Sequence, residues 1–326
     1  MILAGDVGGT KTEVALLTPR RGKLAIVAQR RVASADYPSL EAILREFVAA
    51  QRAKVTAACF GVAGPVVNGR CQATNLPWVI DASTLQQRLK IKRVTLLNDL
   101  AAMAYGVLTL PPKSLAVLNA GKPQPRGTIG IIAAGTGLGE SALVWDGRAY
   151  RAVASEGGHC DFAPCTELED ELLRYLRHRH GHVSYERIVS GPGKVAVYEF
   201  LREKRIAPEP EWLAKRLAAG DPSPVISEVA LEGGAELCVK ALELFISIYG
   251  AEAGNLALKV LATGGVYIGG GIAPTIVPML KNGVFMRAFV DKGRLGKLLA
   301  SVPVRVVLEP KAGLLGAAAY AAHPVA

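Results

Sequence analysis

Asn98 and Asp99 stand side by side where an apolar run, Arg93-Val94-Thr95-Leu96-Leu97, gives out. An amide and a carboxylate at the end of a strand can together grip a hydroxyl and take its proton, which is the work of a general base. Taken alone, the dipeptide reads first as a turn or a helix cap, because both side chains readily accept from nearby backbone amides.

Three further segments carry complementary chemistry. Ile2-Leu3-Ala4-Gly5-Asp6-Val7 leads through Gly8-Gly9-Thr10 into the alternating run Lys11-Thr12-Glu13-Val14-Ala15-Leu16-Leu17. This is the pattern of a β-hairpin whose glycines bring backbone N–H groups close to an anion, with Asp6 offering an oxygen toward a hydrated Mg²⁺. Gly5 through Thr12 nearly spells a Walker P-loop, but Thr10 stands where that pattern needs glycine, and a strand rather than a helix follows. The P-loop reading therefore fails. Strand, glycine turn and strand recur at 128–134, Gly135-Thr136-Gly137-Leu138-Gly139 and 140–145. Two such copies, each opening one half of the chain, are what duplicated lobes gripping a nucleotide's phosphates would require. The third segment, Ser155-Glu156-Gly157-Gly158-His159, joins Glu186 in offering acceptors and donors for a polyol, whose desolvated hydroxyls each need a partner. A solvated loop and a helix-start carboxylate are the plainer readings of Glu156 and Glu186.

Together these segments resemble the bacterial glucokinase family of the actin-like sugar-kinase superfamily, over nearly the whole chain. The matching stretches run in family order: Gly5-Asp6-Val7-Gly8-Gly9-Thr10, Asp36 to Glu41, Ala73-Thr74-Asn75, Asn98-Asp99, Gly135 to Gly139, Glu156-Gly157-Gly158-His159 with Asp161 to Pro164, Glu186-Arg187 with Ser190 to Gly193, Gly254 to Leu258, Gly264 to Ile268 with Gly270-Gly271-Ile272, and Gly313 to Gly316. The collinear set is far more specific than any one member.

The resemblance implies a two-lobed α/β actin-like (ribonuclease H-like) sugar-kinase fold with its active site in the interlobe cleft. It implies transfer of the γ-phosphoryl group of ATP to the 6-hydroxyl of glucose, with Asp99 as general base. Asn75, Asn98, Glu156, His159 and Glu186 would hold the sugar; Gly8, Gly9, Thr10, Gly135, Thr136 and Gly137 would line the phosphates, and Gly270, Gly271 and Ile272 would sit near the adenosine. Mg²⁺ would be reached from Asp6 through water, and the expected assembly is a homodimer. Another hexose, a donor other than ATP, and a non-catalytic sugar-sensing role remain open on this reading. The spelling Asp-Xaa-Gly-Gly-Thr-Lys-Thr is commoner in the related family of repressors, open reading frames and kinases, whose members carry a cysteine-rich zinc motif after their Gly-His. Here only Cys160 and Cys165 lie near His159 and no Cys-Xaa-Cys follows. His159 accordingly reads as a sugar ligand rather than a metal ligand.

Composition excludes several other classes. Five scattered cysteines form neither a zinc ribbon nor a disulfide framework and indicate a reducing, cytoplasmic setting. Met1 runs directly into an apolar strand with no basic n-region, so no signal peptide is expected, and no DNA-reading helix pair precedes it. The net charge of +10 is dispersed, with Arg20-Arg21 and Arg30-Arg31 as isolated pairs lacking interleaved aromatics. This argues for a basic surface that attracts anionic ATP and against nucleic-acid binding. The uncharged stretch from 260 to 280 is long enough to span a membrane, but its five glycines and two prolines break it into strand, loop and helix start. His178, His180 and His182, interspersed with Arg177 and Arg179, read as solvated.

The elements that must position these groups follow from periodicity. Leu40, Ile43, Leu44, Phe47 and Val48 make one face of a helix entered through Pro38. Strands are expected at 55–62, 94–97, 115–118, 129–134 and 141–145, a charged helix at 167–178, a long core helix at about 234–261, and a C-terminal helix at 313–320 packing on the first lobe. Pro111-Pro112 marks a lobe boundary, dividing the chain into a small lobe, 1–110 with 311–326, and a large lobe, 111–310.

Overall fold

The computed structural model describes residues 1–20, 23–73 and 76–323. One compact unit comprises Met1–Pro112, Asp146–Ala154 and the chain from Glu309 on; the other comprises Lys113–Trp145 and Ser155–Leu308. The segment 146–154 packs with the first unit, where the Tyr105 hydroxyl accepts from the Ala152 amide at 3.0 Å.

In the first unit, β1 (Ile2–Val7), β2 (Lys11–Arg20), β3 (Lys23–Ala33), β4 (Ala57–Val62) and β5 (Val94–Asn98) form a sheet in the order β3-β2-β1-β4-β5. β1 pairs antiparallel with β2 from Ile2 opposite Leu17 to Val7 opposite Thr12, and parallel with β4. Helix α1 (Leu40–Gln51) begins at Ser39, whose hydroxyl caps the Ala42 amide. It buries Leu40, Ile43, Leu44 and Phe47 against the sheet, the face its spacing predicts.

Helix α2 (Asp99–Val107) springs directly from the end of β5, and the C-terminal helix (Ala312–Ala322) lies across it. Small residues make that crossing close. A Cβ on Gly106 would stand 2.0 Å from the Ala312 carbonyl oxygen, and one on Gly316 would stand 1.8 Å from that of Ala102. The opposite side of α2 rests on β4, where a Cβ on Gly61 would meet Ala102 at 2.8 Å. Asp99 thus begins a helix that meets the C-terminal helix backbone to backbone and meets β4 through the Ala102 methyl.

The second unit repeats the plan. Its strands β6 (Leu115–Asn119), β7 (Ile129–Ala134), β8 (Leu138–Trp145), β9 (Gly265–Gly269) and β10 (Val304–Val307) run in the order β8-β7-β9-β10-β6. Like β1, β7 has an antiparallel hairpin partner on one side and a parallel strand on the other. The long helix Glu236–Lys259 packs against this sheet with Phe245, Ile246, Ile248 and Tyr249 wholly buried, which explains its weak amphipathicity. The uncharged stretch beyond it divides into β9, a turn at Ala273–Ile276 and the short helix Val277–Leu280. Among the described residues no helix is long and apolar enough to cross a membrane. His178 and His180 are exposed at the end of the charged helix Glu167–His180, whereas His182 lies past it and pairs with Asp161 at 2.6 Å.

The helix crossing gives the first prediction. Gly316→Ala should destabilise the protein by about 2 kcal/mol or more, because the new methyl meets rigid backbone. Gly220→Ala, where a Cβ meets nothing within 4 Å, should change the unfolding free energy read from urea titration by about 0.5 kcal/mol or less. Equal stability of the two variants would show that the crossing tolerates expansion.

Candidate active site

In the first unit the turn after β1 closes on itself. The Gly8 amide donates to the Lys11 carbonyl at 3.0 Å, so it is used within the hairpin. The Gly9 and Thr10 amides find no protein acceptor among the described residues. Two backbone N–H groups left in this way in a glycine turn form an anion-binding concavity. Ser34, buried beneath the turn, fixes it: its hydroxyl donates to the Gly8 carbonyl at 2.8 Å and meets the Thr12 hydroxyl at 2.9 Å, while its amide donates to the Thr10 carbonyl. Neither Ser34 nor Thr12 carries a sequence signal of this role, since the bracing depends on β3 returning alongside β2.

Asp6, opposite Glu13 across the hairpin, accepts no hydrogen bond among the described residues. Burial raises its carboxyl above the usual carboxylate range, Glu13 adds to the rise, and Lys11 and Arg31 oppose it. Gly313 lies alongside, where even a Cβ would remain 3.6 Å from Asp6 Oδ2. A hard oxygen donor lacking a protein partner, with room beside it, fits a hydrated divalent cation.

Asn98 is the N-cap of α2: its Oδ1 accepts from the Leu100 and Ala101 amides at 2.9 and 3.3 Å, and its Nδ2 donates to the Gly64 carbonyl at 3.3 Å. The cap reading is therefore correct for the amide oxygen, and only the NH₂ group has a further proton to donate. Asp99 occupies the first helical position, where a negative charge is favoured, and its Oδ1 accepts from the Leu100 amide at 2.9 Å. Asn75 lies outside the described residues.

In the second unit the turn after β7 also has three residues and is closed by its first amide, the Gly135 amide donating to the Gly137 carbonyl at 2.8 Å. The Thr136 and Gly137 amides have no protein acceptor among the described residues. Three segments surround this turn. The Gly191 amide donates to the Gly135 carbonyl at 2.8 Å. Gly270, at φ +82°, lies so close to Ala134 that a Cβ would be 2.1 Å from its carbonyl oxygen, and the Ile272 amide donates to that oxygen at 3.3 Å. Glu186 lies against Gly137, its Oε2 accepting from the Leu138 amide at 2.9 Å. A Cβ on Gly137 would stand 2.4 Å from that oxygen, so this glycine makes room for a carboxylate as well as for an anion at its amide.

The other oxygen of Glu186 lies 4.0 Å from His159 Nδ1. His159 ends the turn Gly157–His159, which Glu156 precedes, and both side chains are exposed. Glu156, His159, Glu186, the 135–137 turn and the 270–272 segment thus belong to one unit, and the Glu186 carboxylate meets the glycine turn at Gly137.

A family model described as glucokinase matches residues 3–324. The chain is 45% identical to a glucokinase of Nostoc punctiforme over 338 residues, with 99% of each chain covered. It is 44% identical to a glucokinase of a Nostoc species over 341 residues at the same coverage. A crystal structure of glucokinase from an Antarctic psychrotroph superposes with a TM-score of 0.85 at 33% identity, covering 98% of each chain. The architecture is the α/β sugar-kinase fold. The chain belongs to the glucokinase family.

The environment of Asp6 yields a stability prediction. A carboxyl whose folded pKa is raised above its unfolded value contributes stability that is complete below the unfolded pKa and lost as pH rises through the folded one. Asp6→Asn, which carries no charge at any pH, should therefore be more stable than the parent at pH 7 in metal-free buffer. A gain of about 1 kcal/mol is the scale of relieving one buried unpaired group. The gain should shrink toward pH 4, and a gain that grew on acidification would contradict the burial argument.

Proposed function

We propose that this protein transfers the γ-phosphoryl group of ATP to the 6-hydroxyl of glucose, giving glucose 6-phosphate and ADP. The observation that carries the reading is the meeting, at Gly137, of a carboxylate and imidazole suited to hydroxyls with a turn whose amides are suited to a phosphate. Membership of the glucokinase family supports it.

Glu156, His159 and Glu186 accept from and donate to the ring hydroxyls, each of which needs a partner once removed from water. Glu186, tied to the Leu138 amide through one oxygen, offers the other. The remaining proton of Asn98 Nδ2 serves as a further donor. Asp99, oriented by the Leu100 amide, accepts the 6-hydroxyl proton as the oxygen attacks the γ-phosphorus. The amides of Gly9, Thr10, Thr136 and Gly137 meet the phosphate oxygens, and the 270–272 segment lies toward the nucleoside. Mg²⁺, when bound, neutralises charge on the transferring phosphates, and Asp6 is the residue that would hold it through water. Phosphoryl transfer has a loose transition state, so alignment and charge neutralisation matter more than proton removal, and Asp99 is an orienting group as much as a base. The proposal extends to a homodimer, on the family resemblance, and to a reducing cytoplasmic setting, on five unpaired cysteines.

The test is ADP release across a panel of hexoses and phosphoryl donors, with and without Mg²⁺. Release should depend on sugar, be greatest with glucose and ATP, and need the metal; sugar-independent release would remove the kinase reading. Asp99→Asn should lower kcat by about 10²–10⁴-fold, the usual worth of a positioned base, with glucose affinity by calorimetry changed far less. Near-normal turnover would remove the base assignment. Gly137→Ala should raise the KM for glucose as well as for ATP, because its methyl displaces Glu186. An effect on ATP alone would show that Glu186 does not hold the sugar.

A further inference from the structure

Directly beneath the Gly157–His159 turn lies a pair of buried carboxyl groups that the mechanism does not use. Glu140, on β8, is 1% exposed, and Glu252, on the long helix Glu236–Lys259, is 0% exposed. Glu252 is well supplied with donors: Asn255 Nδ2 reaches its Oε2 at 2.8 Å and Lys259 Nζ its Oε1 at 2.9 Å. Glu140 is not. Among the described residues its Oε1 is buried with no donor, and the carboxyl group that faces it is that of Glu252. Two carboxyl groups in that relation can be satisfied only if one proton lies between them.

The position of the pair gives it a consequence for the site. Glu140 Oε2 presses against the backbone of Gly157, where a Cβ would be 2.0 Å away, and the neighbouring Gly158 packs equally closely on the Leu138 carbonyl. Glu140 is thus part of the floor of the turn that carries Glu156 and His159. The same network reaches the third sugar-facing residue, because Asn255 Nδ2 also meets the Tyr185 hydroxyl at 3.0 Å, and Tyr185 precedes Glu186 and donates its amide to the Cys160 carbonyl.

We propose that Glu140 and Glu252 share one proton at neutral pH and that this protonated pair is a positioning element for Glu156, His159 and Glu186, so that sugar affinity falls when the proton is lost. The inference rests on the proposed sugar-binding role of those three residues. Burial, and then the charge of Glu252, push the Glu140 carboxyl up to about 8, with Lys259 opposing. Above that pH two negative charges face each other with a single ammonium between them and solvent, and the carboxylate that must move is the one packed on Gly157. Other titratable groups facing the pair are Tyr249 and Lys259 from the long helix, Tyr185 from its turn, and Cys160, which faces Lys259 from the end of the 157–159 turn. Burial raises both tyrosine hydroxyls well above their ordinary range.

The experiment is glucose binding by calorimetry, and KM for glucose and for ATP, from pH 6.5 to 9.5 on the wild type and Glu140→Gln. If only the protonated pair holds the turn, the apparent glucose Kd of the wild type should rise about ten-fold between pH 7 and pH 9. The KM for ATP should not follow it, and Glu140→Gln, which keeps a neutral hydrogen-bonding group, should show a flat glucose profile. A flat wild-type profile overturns the proposal, and so does an alkaline rise that persists in Glu140→Gln, which would belong to another facing group. A second reading needs no ligand: because the folded state holds the Glu140 proton to higher pH than the unfolded one, wild-type stability should fall relative to Glu140→Gln as pH rises from 5 through 8. Absence of that divergence also overturns the shared proton. Failure to bind glucose at any pH, with the stability divergence intact, would instead fault the sugar-site reading and leave the proton pair standing without its proposed purpose.

Discussion

At Gly316 there is room for a hydrogen and nothing larger, and the same is true at Gly106, Gly137, Gly157 and Gly158. α2, which carries Asp99, meets the C-terminal helix backbone to backbone, and its Ala102 methyl fills the space that Gly61 leaves on β4. Glu186 reaches the Leu138 amide only because residue 137 has no side chain, and the Glu156–His159 turn settles on β8 only because residues 157 and 158 have none. Where such contacts are backbone to backbone, as at Gly106, Gly158 and Gly316, no flexible side chain absorbs error, so small displacements are transmitted rather than damped. A site that must hold a sugar hydroxyl in line with a phosphorus atom needs that stiffness, since misalignment on the scale of an ångström is costly in rate.

Stiffness at the backbone is joined to unsatisfied polarity. Among the described residues, each glycine turn uses its first amide to close the hairpin and leaves the next two without a protein acceptor, and Asp6 and Glu140 carry carboxyl oxygens that no donor meets. In an inert fold these would be defects, each of order 1–3 kcal/mol. The two hydrophobic cores absorb that cost: a helix with Phe245, Ile246, Ile248 and Tyr249 wholly buried lies under one sheet, and Leu40, Ile43, Leu44 and Phe47 of α1 lie under the other. The cores do not choose the reaction. They make it possible to keep groups waiting for a ligand.

Much of this was legible in the chain because it is local. The two hairpins announce themselves as apolar strand, glycine turn and alternating strand, and α1 by the spacing of its buried face. The pairing of β1 and β7 each with one antiparallel and one parallel neighbour gives the sequence echo a structural basis that reaches beyond the turns themselves. What was not legible depends on long-range return of the chain. Ser34 braces the first turn from 24 residues beyond Thr10, and nothing near it marks it out from any other serine in a loop. Asn98 shows the limit of either-or reading: its oxygen caps a helix, as the commonest use of asparagine there would have it, and its nitrogen still has a proton to give.

Glu140 is the sharper case, because the local pattern misdirects. It stands immediately after Gly139, near the start of an alternating strand, where a carboxylate would be assigned to the solvent face. It faces inward because its partner, Glu252, arrives from more than a hundred residues away on a helix whose middle is apolar. Like Glu236 and Glu243 of the same helix, Glu252 looks in sequence like an exposed position on an amphipathic surface, yet it is wholly buried. Hydrophobic periodicity is blind to buried polar pairs by construction, since each partner contributes one exception to two separate patterns. Groups of this kind are found only by asking, of a structure, which buried oxygen lacks a donor and what proton would satisfy it.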